Sequence, residues 1–203
     1  MEGYKHLATY ILATVIGDLT AEFCQKFISP KSRTYDQMEQ GARSGKQNIA
    51  EGFSLESLES YIKLLGVALG SFKELGTDFE DFLRQKGFEI WSKDDPRVRV
   101  FRDFRAVWVK PNIPNTPNLP NDPEEAANML LTFCQMETFL LKRQIDSLKN
   151  KFIAEGGFRE NLFKKRLEYR DKNKTTITLL LLLPHIFHVL DKFWFSGEIG
   201  KVF

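Results

Sequence analysis

Cysteine and histidine are scarce in this 203-residue sequence, which holds two cysteines and three histidines. Two cysteines offer neither a disulfide framework nor a zinc site. Cys24 and Cys134 both fall on predicted helix faces, so we expect free, buried thiols that act as small apolar side chains in a reduced cytoplasm. We expect no metal and no cofactor.

Long apolar runs are also missing. The N-terminal stretch MEGYKHLATYILATVIGDLT lacks a basic region and a small-residue cleavage site, and Gly17 and Asp18 interrupt it. It therefore predicts a bundle helix rather than a signal peptide. The uninterrupted apolar part of TTITLLLLLPHIFHVLDKFWFSG is shorter than the roughly 20 residues that cross a bilayer. This tail, residues 175–203, favours docking onto another subunit; membrane-surface contact and a non-native extension, such as a shifted reading frame, are the alternatives.

Motifs of catalysis are absent too: the sequence has no nucleophile–base pair, phosphate loop or dinucleotide fingerprint. An acidic cluster on the third predicted helix lacks the Glu-x-x-His pairs of di-metal bundles, so we expect it to pair with cations of a neighbouring subunit. It comprises Glu74, Asp78, Glu80 and Asp81. His185 and His188 are three residues apart, but Pro184 should disturb their helix. The sequence therefore does not predict an enzyme.

Helical periodicity dominates what is present. Four long patterns run over residues 4–27, 35–51, 61–86 and 123–155, and Gly52, Gly87 and Gly156-Gly157 are predicted to end the last three. The third pattern carries a heptad seam, which favours packing against neighbouring helices. Its members are Tyr61, Leu65, Ala68, Phe72, Leu75, Phe79 and Phe82. The pattern predicts an all-α fold, an antiparallel up-and-down four-helix bundle with a helical C-terminal extension.

Two boundaries divide the chain. Residues 1–155 are predicted to form the bundle, with residues 88–121 inserted between its third and fourth helices. Asp95 and Pro96 predict a short helix in this insertion, and KPNIPNTPNLPNDP predicts an extended crossover because its five prolines prevent regular structure. Residues 156–203 are predicted to form a basic helical suffix with the apolar tail.

The stretch ARSGKQNIAEG, residues 42–52, has two separate faces on a helix. One is apolar and small, and it predicts a close helix approach, since mid-helix glycine costs about 1 kcal/mol against alanine. It comprises Met38, Ala42, Gly45 and Ile49, with Gly41 and Gly52 at its edge, and Gly66, Gly70 and Gly76 are its predicted counterpart. The other face is either solvated or a subunit or partner contact. It comprises Arg43, Lys46, Gln47, Asn48 and Glu51.

Positive charge is concentrated late in the chain. Residues 142–174 hold 11 Lys or Arg against 5 Asp or Glu, whereas the rest holds 18 against 22. Cations neutralise phosphates, and the interleaved Phe158, Phe163 and Tyr169 can stack on exposed bases. The candidate nucleic-acid-binding residues are Lys142, Arg143, Lys149, Lys151, Arg159, Lys164, Lys165, Arg166 and Arg170. The alternative is a solvated helix whose aromatic residues pack on the bundle.

The segment ARSGKQNIAEGF…ESYIKLLGVALGSFKELGTDFEDFL resembles the four-helix-bundle family encoded in 23S rRNA intervening sequences, in its longer branch with a C-terminal suffix. The resemblance extends over residues 4–170, and the segment after Lys172 has no counterpart in it. The matching residues are Arg43, Asn48, Ile49, Ala50, Glu51, Gly52, Ala68, Leu69, Gly70, Ser71, Glu74 and Leu75.

This resemblance implies a left-handed bundle that assembles as a homopentameric ring. It also implies kinship with the accessory variability determinant of diversity-generating retroelements, a basic pentamer that binds nucleic acid and a reverse transcriptase. The expected partners are therefore further copies of the chain, RNA or DNA, and a reverse transcriptase or another nucleic-acid enzyme; a membrane is not expected. The acidic third helix departs from that basic relative and weakens nucleic-acid binding by the bundle wall. The rival interpretation is a purely structural homo-oligomer.

Overall fold

The computed structural model describes residues 3–103 and 117–195, except the side chains of residues 175–181 and 184–195. Every regular element in those ranges is a helix, so the fold is all-α. A 3-10 helix, Gly3–His6, precedes α1 (Ala8–Phe27), α2 (Arg33–Phe53), α3 (Leu58–Lys86), α4 (Pro96–Asp103), α5 (Pro123–Glu155) and α6 (Phe158–Phe195). The chain divides into two compact units, Met1–Glu155 and Gly156–Phe203.

In the first unit five helices pack together. Helix α2 packs against α1 and α3, helix α5 packs against the same two helices, and α4 packs against α5. The predicted heptad seam of α3 is buried along its whole length. At one end of the core the Phe23 ring meets the rings of Phe79 and Phe82, with centroids 5.1 and 5.0 Å away. The periodicity of the sequence therefore identified the core face of α3 correctly.

Capping residues account for most helix ends. The Ser32 hydroxyl accepts a hydrogen bond from the Thr34 amide at 3.2 Å where α2 begins, and Asp122 accepts one from the Glu125 amide at 2.8 Å where α5 begins. These bonds satisfy amides that lack a partner within the helix. Gly87 ends α3 in the left-handed conformation, with φ 72°. The predicted end of α3 at Gly87 is confirmed, and Ser32 and Asp122 cap the starts of α2 and α5.

The predicted end of α2 at Gly52 is wrong. The helix continues to Phe53, and Gly52 is a buried residue inside its last turn. A Cβ atom on Gly52 would lie 2.7 Å from Cδ2 of Tyr61. This glycine is therefore needed for a close approach to α3 and not for a turn, because a side chain there would overlap the tyrosine ring.

The small apolar face of α2 is buried, as its composition predicts. Met38, Ala42, Gly45 and Ile49 are all buried. A Cβ atom on Gly45 would lie 2.5 Å from Cε2 of Phe72, whose ring is fully buried. The absence of a side chain at Gly45 is therefore what allows the Phe72 ring to lie against the α2 backbone.

The predicted counterpart of this face on α3 is only partly correct. Gly76 lies against α5, where its Cβ position is 3.6 Å from Cβ of Cys134. Gly66 and Gly70 instead have no described atom within 4 Å of their Cβ positions. They lie on the side of α3 that points away from the buried seam, so they do not serve the packing of this unit.

Hydrogen bonds of the Asn128 side chain join the segment after α3 to α5. The Asn128 side chain accepts a hydrogen bond from the Trp91 amide at 2.9 Å and donates one to the Glu89 carbonyl at 2.9 Å. The predicted short helix is α4, and the Arg97 amide donates to the Asp95 carboxylate at 2.8 Å at its start. Residues 117–120 have no regular structure, and residues 110–116 of the predicted crossover lie outside the described residues.

The second unit contains α6, whose backbone is helical from Phe158 to Phe195. The expectation that Pro184 disturbs this helix is wrong, because the helix runs through that position. Gly156, with φ 78°, separates α5 from α6, as the Gly156-Gly157 pair predicts. Residues 196–203 of the predicted tail lie outside the described residues.

Candidate functional site

The candidate nucleic-acid-binding residues fall into two groups, one in each unit. Lys142, Arg143, Lys149 and Lys151 are exposed on α5. The Lys151 ammonium lies 3.8 Å from the Glu155 carboxylate, and the Arg143 guanidinium lies 5.8 Å from the Phe139 ring centroid. The candidate residues are therefore divided between the two units, and on α6 the cations occur together with several exposed aromatic rings.

The basic face of α6 comprises Arg159, Lys164, Lys165, Arg166 and Arg170, all of them exposed. Among the residues whose side chains are described, none of the five forms an ion pair with a carboxylate. Phe158, Phe163 and Tyr169 are 46%, 60% and 70% exposed. Exposed cations and exposed aromatic rings therefore occur together on α6.

The spacing on α6 brings the two kinds of side chain together. Arg159, Phe163, Arg166 and Arg170 recur at steps of four, three and four, which places them on one face of a helix. Twelve residues of helix extend over roughly 17 Å. These positions therefore offer a short, straight row of three cations with an aromatic ring inside it, and Lys164 and Lys165 lie farther round the helix.

The polar residues of α2 do not form a single site. Arg43 and Gln47 are exposed and, with the half-buried Lys46, line a groove beside α1. Asn48 instead turns toward its own helix, where its amide donates to the Ser44 carbonyl at 2.8 Å and hydroxyl at 3.2 Å. Glu51, one turn after Gln47, is also exposed. Arg43, Gln47 and Glu51 are therefore exposed to a partner, whereas the Asn48 amide is hydrogen-bonded within its own helix.

An acidic groove lies on the other side of α2, between that helix and α3. Asp36, Glu74 and Asp78 line it, with Arg33 at one end and Gly41 and Leu75 at its floor, around a volume of about 600 Å³. Burial raises the pKa of Asp78, and the nearby charges of Asp81 and Glu74 raise it further. Negative charge in this groove is therefore not fully compensated by the residues around it.

The four residues of the acidic cluster, which are predicted to pair with a neighbouring subunit, do not share one groove. Asp81 already pairs with Arg84 of its own helix at 2.8 Å. Glu80 is exposed, and it lines a different groove, beside α5. The residues of the cluster that share the acidic groove are Glu74 and Asp78.

Glu137 is a buried ionisable residue that the sequence analysis missed. It lies on α5 with 0% exposure, and neither carboxyl oxygen has a hydrogen-bond partner in the described part of the chain. Burial raises its pKa well above the usual range, because the interior stabilises the neutral acid relative to the carboxylate. The spacing in the sequence indicates this burial, since Glu137 lies three residues after Cys134 and four residues before Leu141, both of which are buried on α5.

Both cysteines are free and buried, as predicted. Burial raises the pKa of Cys24 to about 12 and that of Cys134 also well above its usual value. A thiol is nucleophilic as its thiolate, so neither side chain is reactive near neutral pH.

The described residues contain no group of three or more His, Cys, Asp or Glu side chains placed to hold a metal ion. No helix among them is long and apolar enough to cross a bilayer.

Comparison with known proteins adds no relative: no protein-family model, curated protein or solved structure matches the chain. The resemblance to the rRNA intervening-sequence family therefore stays a prediction.

Proposed function

We propose that this chain is a non-enzymatic helical scaffold that binds single-stranded nucleic acid through the basic face of α6. The observation that carries the proposal is the row of exposed cations on α6 with exposed aromatic rings among them. Phosphates bound by such cations release condensed counterions, which drives association without reading the base sequence. Aromatic side chains add about 1–3 kcal/mol per stacked base.

The scaffold in this proposal is an antiparallel four-helix bundle of α1, α2, α3 and α5. Gly41, Gly45 and Gly52 of α2 approach α3 at Leu75, Phe72 and Tyr61, in reversed order along the chain. In addition, Thr9 near the start of α1 donates a hydrogen bond to Gln144, late in α5, at 2.9 Å. Both contacts support antiparallel neighbours, and the short connections between α1, α2 and α3 favour the same arrangement.

The proposal includes assembly of several copies, five if the family resemblance holds. Arg43 and Gln47 are exposed and supply polar groups for a subunit contact. A reverse transcriptase or another nucleic-acid enzyme is the proposed protein partner, on the same resemblance. A ring would place several copies of the α6 face along one strand, and linked sites bind more tightly than one site alone.

Charge reversal on α6 tests the nucleic-acid proposal. Changing Lys164, Lys165 and Arg166 to Glu should lower the affinity for a labelled single-stranded RNA by at least about a hundredfold at ~0.1 M salt, since phosphate contacts are lost and repulsion replaces them. Fluorescence anisotropy measures the affinity, and circular dichroism verifies that the variant is folded.

The control variant reverses three exposed lysines on α3, Lys63, Lys73 and Lys86, and so changes the net charge equally. It should retain the affinity of the wild type within about threefold, because the lysines lie outside the proposed surface. Equal affinities for the wild type and the α6 variant would overturn the proposal and favour the rival function, a purely structural homo-oligomer.

A further inference from the structure

The acidic groove between α2 and α3 is an unoccupied surface whose charge is opposite to that of α6. Of the charged residues that line it, Asp36, Glu74 and Asp78 are acidic and only Arg33 is basic. Burial raises the pKa of Asp78, and repulsion from Asp81 and Glu74 raises it further. A cationic occupant would reduce that repulsion, so the groove favours a basic partner and disfavours nucleic acid.

The dimensions of the groove suit one face of a helix. Its α2 wall runs from Arg33 to Ser44, which spans roughly 17 Å of helix, similar to the row from Arg159 to Arg170 on α6. Gly41 contributes no side chain to the groove, whose volume is about 600 Å³. This volume exceeds that of a single apolar side chain, so such a side chain fits between the acidic walls.

The face of α6 has the complementary chemistry. Phe163, 60% exposed, lies between cations on a stripe with Arg159, Arg166 and Arg170. The exposed Leu162 lies beside it. Burying a phenylalanine side chain removes apolar surface from water, which strengthens docking where salt screens the attraction of the cations.

We infer that the acidic groove of one copy of the chain is a docking site for the basic face of α6 from a second copy. The cations of α6 then pair with Asp36, Glu74 and Asp78, and an apolar side chain of α6 covers the groove floor. This inference does not rest on nucleic-acid binding. It does predict that self-association and nucleic acid compete for the same cations.

A charge swap in the full-length chain tests the inference. The groove variant carries Glu74→Lys and Asp78→Lys, and the helix variant carries Arg159→Glu, Arg166→Glu and Arg170→Glu. Each variant alone should self-associate at least about tenfold more weakly than the wild type at ~0.1 M salt, because like charges then face each other. An equimolar mixture should recover association, since each variant supplies the surface that the other has lost. Sedimentation velocity measures all three samples.

A neutral variant, Glu74→Gln with Asp78→Asn, guards against misfolding of the lysine variant. It removes charges that repel one another, so it should fold at least as well as the wild type and still associate more weakly. Unchanged mass distributions in the groove variants, or a mixture that does not associate, would overturn the inference.

The two proposals fail in different ways. The groove variants keep the basic face of α6 and should therefore bind RNA at least as tightly as the wild type. Loss of RNA binding in the helix variant, with self-association intact, would support the proposed function and overturn the docking site. Loss of self-association in the helix variant, with RNA affinity unchanged, would support the docking site and overturn the proposed function.

Discussion

Replacing Gly45 by alanine should lower the free energy of unfolding by about 2 kcal/mol, although alanine favours a helix by about 1 kcal/mol over glycine. The added Cβ would lie 2.5 Å from Cε2 and 2.6 Å from Cζ of Phe72. The Phe72 ring has 0% exposure and cannot move without disturbing the core around it. Urea unfolding followed by circular dichroism measures the change.

Gly70→Ala is the matched control, because it makes the same substitution where no described atom lies within 4 Å. It should raise the free energy of unfolding by about 0.5–1 kcal/mol through helix propensity alone. The two variants should therefore change stability in opposite directions. Stabilisation by both would show that α2 and α3 are not in close contact at Gly45.

Replacing Glu137 by methionine should raise the free energy of unfolding at pH 7 by about 1–3 kcal/mol, the cost of burying a polar group without a partner. Methionine is unbranched and flexible, so it can fill the space left by the glutamate side chain. Thermal and urea unfolding measure the change. A loss of stability in this variant would mean that the carboxyl group has a favourable partner.

The effect of Glu137 should also depend on pH. Its pKa is raised in the folded chain above the ordinary value of 4.5, so the folded state holds a proton that the unfolded state has released. The wild type should therefore lose up to about 1.4 kcal/mol per pH unit relative to Glu137→Gln as the pH rises above 4.5 toward the folded pKa.

Below that range both states are protonated, and the difference between the wild type and Glu137→Gln should be constant. The glutamine variant keeps the shape and polarity of the side chain but cannot ionise, so other titrating groups cancel in the comparison. Parallel stability curves across the whole range would contradict an unpartnered Glu137.

The helices could be predicted from the sequence because their signals are local. Apolar residues recur every three or four positions, and capping residues such as Ser32 and Asp122 stand just before the helices begin. The end of α2 was misplaced because Gly52 carries the same signal as a C-cap. Only the position of Tyr61, on another helix, shows that this glycine is needed for packing.

The tertiary placement of single residues was harder to predict. Gly70 and Gly76 are both glycines of α3, but only Gly76 faces another helix. Glu137 was passed over because a charged residue is rarely buried without a pair. The three- and four-residue spacing of buried positions on α5 places Glu137 on the buried face of that helix.

The candidate site could be predicted in composition but not in arrangement. The sequence revealed the cations and aromatic residues of the C-terminal region, yet not that Lys142 and Arg159 belong to different units. It also did not reveal that Asp36 shares a groove with Glu74 and Asp78, because these residues come from two helices. Such neighbours follow from packing, which no local pattern encodes.

The salt dependence of RNA binding tests the central claim most directly. For the full-length chain, the logarithm of the association constant should fall linearly with the logarithm of salt concentration. The slope should be about −3.5 if the five cations of the basic face each contact a single-stranded phosphate. The α6 charge-reversal variant should lose most of that slope. An affinity that does not change between ~0.05 and ~0.5 M salt would contradict the claim that the basic face of α6 binds nucleic acid.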